Sequence, residues 1–226
     1  MSKIPFTAEQ FLQVFEKYDR AIYPFQFALI LVAIIVPFAK RLPQQRGFAN
    51  AAVLLAASRK PFANKLISYL LGFLWLWMGI VYHLIFFTAI SPPAYVFGTL
   101  FIVQGLLFLY EGVVRNRLSF RASQNFYGIF GAIFIAYALV IYPLIGYALG
   151  RTFTASPIFG VPCPTVIFTF GLLIWTDKRF PLSLLIIPVL WSLVRSSAAL
   201  SFGIKEASAL PNPYLPHRFL IFVQYC

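Results

Sequence analysis

The chain has 226 residues, of which 61% are hydrophobic and 19% aromatic, and its mean hydropathy is +0.83. A soluble domain of this length could not cover so much apolar surface, because a folded globule still needs a polar exterior. The net charge of +12 comes from basic clusters between apolar runs, a pattern typical of membrane proteins rather than of nucleic-acid-binding ones.

Residues 1–20 predict an amphipathic helix that lies on the bilayer surface. Thr7 is its predicted N-cap, and Gln10 stands in the capping-box position three residues later. Phe15 and Tyr18 belong to an apolar face that recurs at helical spacing, with charged residues opposite. Such a helix ordinarily places its apolar face in the lipid interface.

Six apolar runs follow, each close to or above the length of about 20 residues that crosses a hydrocarbon core of roughly 30 Å. They cover about residues 21–39, 66–90, 94–114, 126–149, 159–175 and 180–204. Pro143 predicts a kink in the fourth run, because proline removes a backbone donor. The apolar piece 48–57 is too short to span and is interpreted as interfacial or re-entrant. The predicted fold is therefore an all-α membrane protein, with an N-terminal interfacial helix (1–20), a bundle of six transmembrane helices (21–204) and a C-terminal tail (205–226).

Basic residues concentrate in the loops after the first, third and fifth runs. They are Lys40, Arg41, Arg46, Arg59, Lys60, Lys65, Arg115, Arg117, Arg121, Lys178 and Arg179. The positive-inside rule places such loops in the cytoplasm, which puts both termini outside it. We therefore expect a multi-pass protein of the cell's inner membrane whose basic loops meet anionic lipid headgroups.

The fifth run begins with a cysteine between two prolines, Pro162 and Pro164, after which Thr165 opens an apolar stretch. A helix from Pro164 to Trp175 would span only about 18 Å, which is short of a full crossing. The fifth helix is therefore predicted to be broken or half-length. Half-helices of transporters direct their N-terminal N–H groups and positive dipole end at an anionic or polar solute. The alternative is an outer loop that dips slightly below the surface.

Three polar residues come out at similar predicted heights in the outer half of the bilayer. At a rise of about 1.5 Å per residue, Cys163 lies about 20 Å from the hairpin after the fifth run. Arg195 lies about 23 Å along the sixth run, and His83 about 25 Å along the second. With Thr165 and Trp191 they form the predicted substrate-binding set.

Each of these residues also has a structural interpretation. Cys163 would be a small apolar filler, and His83 a hydrogen-bonded histidine inside the bundle. Trp191 would hold the Arg195 guanidinium by a cation–π contact, or Arg195 would extend to the headgroups. Two further polar residues are predicted to be structural: Gln104 in a helix–helix hydrogen bond and Glu111 in an ion pair with the arginine four residues later.

The chain resembles a family of uncharacterised bacterial integral membrane proteins that is catalogued as a domain of unknown function. The residues that carry the resemblance are Trp77-Met78-Gly79-Ile80-Val81-Tyr82-His83, Phe86-Phe87, Gln104-Gly105-Leu106-Leu107-Phe108, Phe159-Gly160-Val161-Pro162-Cys163-Pro164-Thr165, Ile167-Phe168-Thr169 and Gly171. It extends from Pro5 to about Ile204, and its Pro-Cys-Pro-Thr motif is fairly specific. The resemblance implies a small helical membrane protein and carries over no activity.

These features favour a small-solute channel or transporter with a polar site in the outer half of the bilayer. Two alternatives stay open, namely a membrane-embedded redox or metal-binding protein or enzyme that uses Cys163 and His83, and an accessory subunit of a membrane complex. No recognised catalytic motif accompanies these residues, so we predict no catalytic residue, metal ligand or cofactor. The expected partners are the lipid bilayer, a small polar or anionic solute and, in a homo-oligomer, a second copy of the chain. No nucleic acid is expected.

Overall fold

The computed structural model describes residues 8–38, 60–148 and 159–195. All regular secondary structure in these ranges is helical. The predicted Thr7 cap, the apolar piece 48–57 and the tail 205–226 lie outside the described residues.

Six helices are named here in chain order. They are α1 (Ala8–Phe38), α2 (Lys60–Trp77, continued by the π-helical stretch Met78–Phe86 and the 3-10 turn Phe87–Ala89), α3 (Ala94–Leu109 with the π-helical stretch Tyr110–Val114), α4 (Phe126–Ala136, the π-helical stretch Tyr137–Ile141 and Tyr142–Ala148), α5 (Pro162–Ile174) and α6 (Ser183–Arg195).

Three of these helices are long and apolar enough to cross a membrane. The candidate spans are Phe62–Ala89, Ala94–Val114 and Phe126–Ile145, and α1 makes a fourth if its two arms count as one span. The described parts of α5 and α6 are shorter apolar helices. The described residues therefore contain three or four candidate spans, and the count of six transmembrane helices stays a prediction.

Helix α1 joins the predicted interfacial segment and the first predicted crossing in one bent helix. Its arms, Gln13–Tyr23 and Phe25–Ile35, meet at 75°, and Pro24, which cannot donate a backbone hydrogen bond, stands between them. The first arm does not leave its apolar face to lipid. Phe15 and Tyr18 are buried, and both make edge contacts with the Tyr82 ring on α2. The predicted amphipathic face is real, but protein covers it.

The kink predicted at Pro143 takes a different form. The π-helical stretch Tyr137–Ile141 directly precedes the α-helical turns that contain this proline. A π-helical turn shifts the hydrogen-bond register locally and so accommodates the missing donor. The helix then continues past Pro143 as one candidate span to Ile145.

Helices α2 and α3 approach each other closely through two pairs of glycines. A Cβ atom placed on Gly79 would lie 2.8 Å from the carbonyl oxygen of Gly98. One placed on Gly105 would lie 2.9 Å from the carbonyl oxygen of Gly72. Within each helix the two glycines are seven residues apart, which is about two turns, so they share one face. The antiparallel pair thus packs backbone against backbone, as small residues allow in membrane bundles.

Helix α5 lies at the centre of the bundle. Nine of its residues are buried: Pro162, Pro164, Thr165, Val166, Phe168, Thr169, Gly171, Leu172 and Leu173. It packs on α4, where a Cβ atom on Gly171 would lie 2.9 Å from the Gly131 carbonyl oxygen. At its end the Trp175 indole donates a 2.9 Å hydrogen bond to the Gly128 carbonyl oxygen. None of its 13 residues is exposed.

Segments from three parts of the chain meet at the end of the bundle where α5 stops. The loop after α3 pairs with the loop after α5 through a bridge between Phe120 and Thr176, and the Asp177 N–H donates to the Ser119 carbonyl oxygen at 3.0 Å. The side-chain oxygen of Asn64, in the first turns of α2, accepts from the Phe120 N–H at 3.0 Å. The described ends of the basic loops therefore lie at one end of the bundle, as predicted. Their side of the membrane stays a prediction.

We expect Asn64→Leu to lower the free energy of unfolding by about 1–3 kcal/mol, because it removes the side-chain oxygen that accepts a hydrogen bond from the N–H of the buried residue Phe120. The measurement is a denaturant titration in mixed micelles followed by tryptophan fluorescence. Gln124→Leu makes the same kind of change at an exposed loop position and should leave the titration midpoint within error. Equal midpoints for the two variants would show that Asn64 does not hold the loops together.

The two polar residues predicted to be structural behave as expected. Gln104 donates a 3.0 Å hydrogen bond to the Leu184 carbonyl oxygen and so joins α3 to α6. Glu111 is buried and pairs with Arg115 at 3.3 Å and with Arg117 at 3.5 Å. Both predictions are confirmed, and the second arginine is an addition that sequence spacing did not indicate.

Candidate functional site

The predicted helix start at the Pro-Cys-Pro segment is confirmed. Val161 is the N-cap in an extended conformation, with φ −101° and ψ 160°, and Pro162 is the first helical residue. Proline suits this position because its φ is already helical and its missing N–H would have no partner there. Gly160 turns the chain into the helix with a φ of +109°, a conformation that side-chain-bearing residues rarely adopt. The helix that follows has 13 residues, which agrees with the predicted half-length helix.

This helix start presents fewer backbone donors than the half-helices of transporters. Pro162 and Pro164 have no N–H, and the Thr165 N–H donates to the Val161 carbonyl oxygen at 3.3 Å. The prediction that backbone N–H groups would bind a solute therefore loses much of its basis. The helix dipole remains, but the full positive charge at this place belongs to an arginine side chain.

Arg195, at the far end of α6 from its hairpin, reaches the start of α5. Its guanidinium donates a hydrogen bond to Cys163 and also lies over the Trp191 ring, with Cζ 5.8 Å from the centroid. Both Arg195 and Cys163 are half-buried, whereas Trp191 is buried. The structure thus brings together three of the predicted site residues. The cation–π contact of the structural interpretation is present beside the thiol contact.

Two buried tyrosines that sequence reasoning missed belong to the same cluster. Tyr82 of α2 and Tyr142 of α4 lie within electrostatic range of the Arg195 guanidinium. Their phenolic groups can both donate and accept hydrogen bonds. The sequence offers one weak signal for each tyrosine. Tyr82 directly precedes His83, and Tyr142 directly precedes Pro143 inside α4. Neither position by itself predicts that both side chains approach one arginine.

His83 is close to this cluster but lies among aromatic rings. Its ring centroid is 4.6 Å from that of Phe101 and 5.2 Å from that of Trp191. Its Nδ1 bonds the Met78 carbonyl oxygen at 2.9 Å, and since a carbonyl only accepts, Nδ1 carries the proton. In the neutral ring Nε2 is then an acceptor, and it is buried with no hydrogen-bond partner in the part of the chain that the structure describes. His83 therefore fits the structural interpretation, a hydrogen-bonded histidine inside the bundle, better than a role as a solute ligand.

Thr165 completes the predicted set and is fully buried. Its carbonyl oxygen accepts from the Thr169 hydroxyl at 2.8 Å, and the same hydroxyl accepts from the Trp75 indole at 3.0 Å. Among residues 8–38, 60–148 and 159–195, neither the Thr165 hydroxyl nor the indole N–H of Trp191 has a hydrogen-bond partner. Buried polar groups are usually hydrogen-bonded. The Thr165 hydroxyl and the Trp191 N–H as donors, and His83 Nε2 as an acceptor, can therefore each form a further hydrogen bond with water or a solute.

Comparison with known proteins places the chain in a family. The model described as "Family of unknown function (DUF6064)" matches residues 8–226. The chain belongs to the DUF6064 family. The family model continues to residue 226, so the predicted end of the resemblance near Ile204 was wrong, and the tail belongs to the DUF6064 match. No curated protein and no solved structure matches.

DUF6064 is a family of unknown function, so membership does not assign an activity. Any activity must be inferred from the residues of the site. The site of this DUF6064 protein contains an arginine, a thiol, two phenols and an indole, drawn from α2, α4, α5 and α6. Within residues 8–38, 60–148 and 159–195, no group of three or more His, Cys, Asp or Glu side chains could hold a metal ion. That the Pro-Cys-Pro-Thr motif is a family signature stays a prediction.

Proposed function

We propose that this DUF6064 protein is a polytopic membrane protein with six transmembrane helices, which conducts or transports a small anionic or polar solute past Arg195. The candidate spans support the membrane setting, and so do the surfaces of the helices. Large apolar side chains are exposed on five of the six described helices, among them Ile85, Val96, Phe126, Ile186 and Leu193. Apolar faces this extensive suit lipid contact and would be a liability in water.

The observation that carries the proposal is the contact of the Arg195 guanidinium with Cys163 at the start of the half-length helix α5. A guanidinium within a bilayer is costly and is ordinarily kept for a function. Beside it, the Trp191 indole N–H and the Thr165 hydroxyl are buried donors that the described residues leave without partners. A positive charge with hydrogen-bond donors around it favours an anion or a solute rich in acceptor oxygens. We therefore place solute binding at this site, in the outer half of the bilayer.

A flux assay tests the proposal. The protein is reconstituted into liposomes, and the rates at which chloride, nitrate and formate enter are measured by stopped-flow light scattering under a potassium diffusion potential. We expect protein-dependent entry of at least one of these anions, and a loss of about tenfold or more in Arg195→Leu, because the substitution removes the charge that offsets desolvation of the anion.

Arg121→Gln is the matched control, since this arginine is exposed in the loop at the other end of the bundle. It should retain the entry rate of the unmodified protein. Entry of all three anions at the rate of empty liposomes would contradict anion conduction. Entry that Arg195→Leu leaves unchanged would exclude the proposed site.

A further inference from the structure

A second polar site lies at the bend of α1 and involves residues that the solute site does not use. Asp19 and Gln26 stand on either side of Pro24, and each is 1% exposed. The Gln26 amide donates to the Asp19 Oδ1 at 2.8 Å. Asp19 Oδ2 and Gln26 Oε1 are buried and have no hydrogen-bond partner within the described part of the chain. The bend thus encloses two unpartnered oxygen atoms, one of which belongs to a carboxylate.

The donors next to this pair serve other acceptors. The Tyr18 hydroxyl donates to the Gly160 carbonyl oxygen at 2.6 Å, and it accepts from the Trp77 indole at 3.0 Å. Arg20, the next residue after Asp19, pairs with Glu16 at 2.7 Å on the exposed side of the helix. Among the described residues, Asp19 interacts electrostatically with the phenols of Tyr18 and Tyr82. The site therefore has an excess of acceptors and no compensating cation among the described residues.

Gly160 adds a third oxygen to this region. Its Cα lies against the second arm of α1, so that a Cβ atom would be 3.5 Å from Leu29 and 3.9 Å from Gln26. A carbonyl oxygen has two lone pairs, and the Tyr18 hydroxyl uses one of them. One carboxylate, one neutral amide oxygen and one backbone carbonyl oxygen near the bend of α1 are ligand types with which transporters coordinate a hard cation.

We propose that Asp19, Gln26 and the Gly160 carbonyl oxygen hold a monovalent cation of the sodium class. A buried carboxyl group must bind either a proton or a compensating cation, and oxygen ligands are those that hard cations prefer. One formal negative charge matches a monovalent ion, since divalent ions usually require more carboxylates. The inference goes beyond the proposed function, because it names a second ligand and does not depend on whether an anion is transported.

Thermal unfolding of the full-length protein in detergent tests the inference. Sodium chloride is varied at constant ionic strength against N-methylglucamine chloride, with a parallel series in potassium chloride. We expect the Tm to rise with the logarithm of the concentration of sodium, potassium or both, because a ligand that binds only the folded state stabilises it by mass action. Asp19→Asn should abolish the rise. Gln26→Leu should shift the response to roughly tenfold higher cation concentration.

Glu16→Gln is the control, because it removes an exposed carboxylate one turn before Asp19 and should keep the full rise. A Tm that is independent of both cations would overturn the proposal, as would a rise that persists in Asp19→Asn. A Tm that responds to pH but to neither cation would assign the site to a proton instead, and so also overturn it. If Asp19→Asn does not fold, an unshifted response in Gln26→Leu is the overturning result.

Discussion

Gly79→Leu is expected to disrupt the packing of α2 against α3 and to lower the free energy of unfolding by about 3 kcal/mol. A Cβ atom at this position would lie 2.8 Å from the Gly98 carbonyl oxygen and 2.9 Å from the Ile102 nitrogen. Both are backbone atoms, so no side-chain rotation can relieve the overlap. The helices must move apart, and the Gly72–Gly105 contact two turns away opens with them. Unfolding in mixed micelles, followed by tryptophan fluorescence, measures the loss.

Gly79→Ala tests the same contact through the sign of its effect on the free energy of unfolding. In an ordinary helix interior, replacing glycine by alanine is stabilising by up to about 1 kcal/mol. Gly79→Ala should instead be destabilising, because even one methyl group overlaps the α3 backbone. Ile80→Leu, at the adjacent exposed position, should leave the stability within error. A stabilised Gly79→Ala variant would contradict the described packing of α2 on α3.

Gly79→Leu should also disturb the candidate site. Gly79 lies in the π-helical stretch Met78–Phe86, which also carries Tyr82 and His83. π-helical turns inside longer helices often occur at functional sites, since they change the direction of the side chains that follow. The close approach at Gly79 therefore positions the two ring-bearing residues that face Trp191 and the Arg195 cluster.

Some of the fold could be predicted because local signals determine it. The helix Ala94–Val114 has the predicted bounds, since two prolines precede it and an arginine follows it. The start of α5 was predictable for a similar reason: Gly160, Pro162 and Pro164 restrict the backbone before any tertiary contact forms. A constant helical rise also placed Cys163 and Arg195 at the same level of two antiparallel segments, which agrees with their contact. Their depth in a bilayer stays a prediction.

The parts that were missed depend on contacts between distant segments. Asp19 was expected at a lipid interface, but Tyr82 and Gly160 cover this part of α1, and no local pattern indicates that. His83 was assigned to the solute site by height alone, whereas its surroundings come from rings on two further helices. The backbone donors expected at the start of α5 were overestimated because the same prolines that mark the helix start also lack N–H groups.

Cys163 is expected to react much faster with a small anionic thiol reagent than with a cationic one. Its thiol is half-buried, and the Arg195 guanidinium that contacts it attracts a negative group and repels a positive one. With rates normalised to those of a free thiol in solution, the preference should be roughly tenfold or more. Arg195→Leu should remove the preference, and Arg121→Gln should retain it.

The central claim is that a small anion can reach the contact between Cys163 and Arg195, and labelling of this thiol in sealed liposomes tests it most directly. The chain has two cysteines, so the Cys226→Ser variant leaves Cys163 as the single target. The sulfonatoethyl and trimethylammonioethyl methanethiosulfonates are the anionic and cationic reagents, and mass spectrometry follows the mixed disulfide. We predict modification of Cys163 by the anionic reagent, at a rate that depends on Arg195. Protection of Cys163 from both water-soluble reagents, while a membrane-permeant maleimide still labels it, would show that the thiol is a packed filler and would contradict the claim.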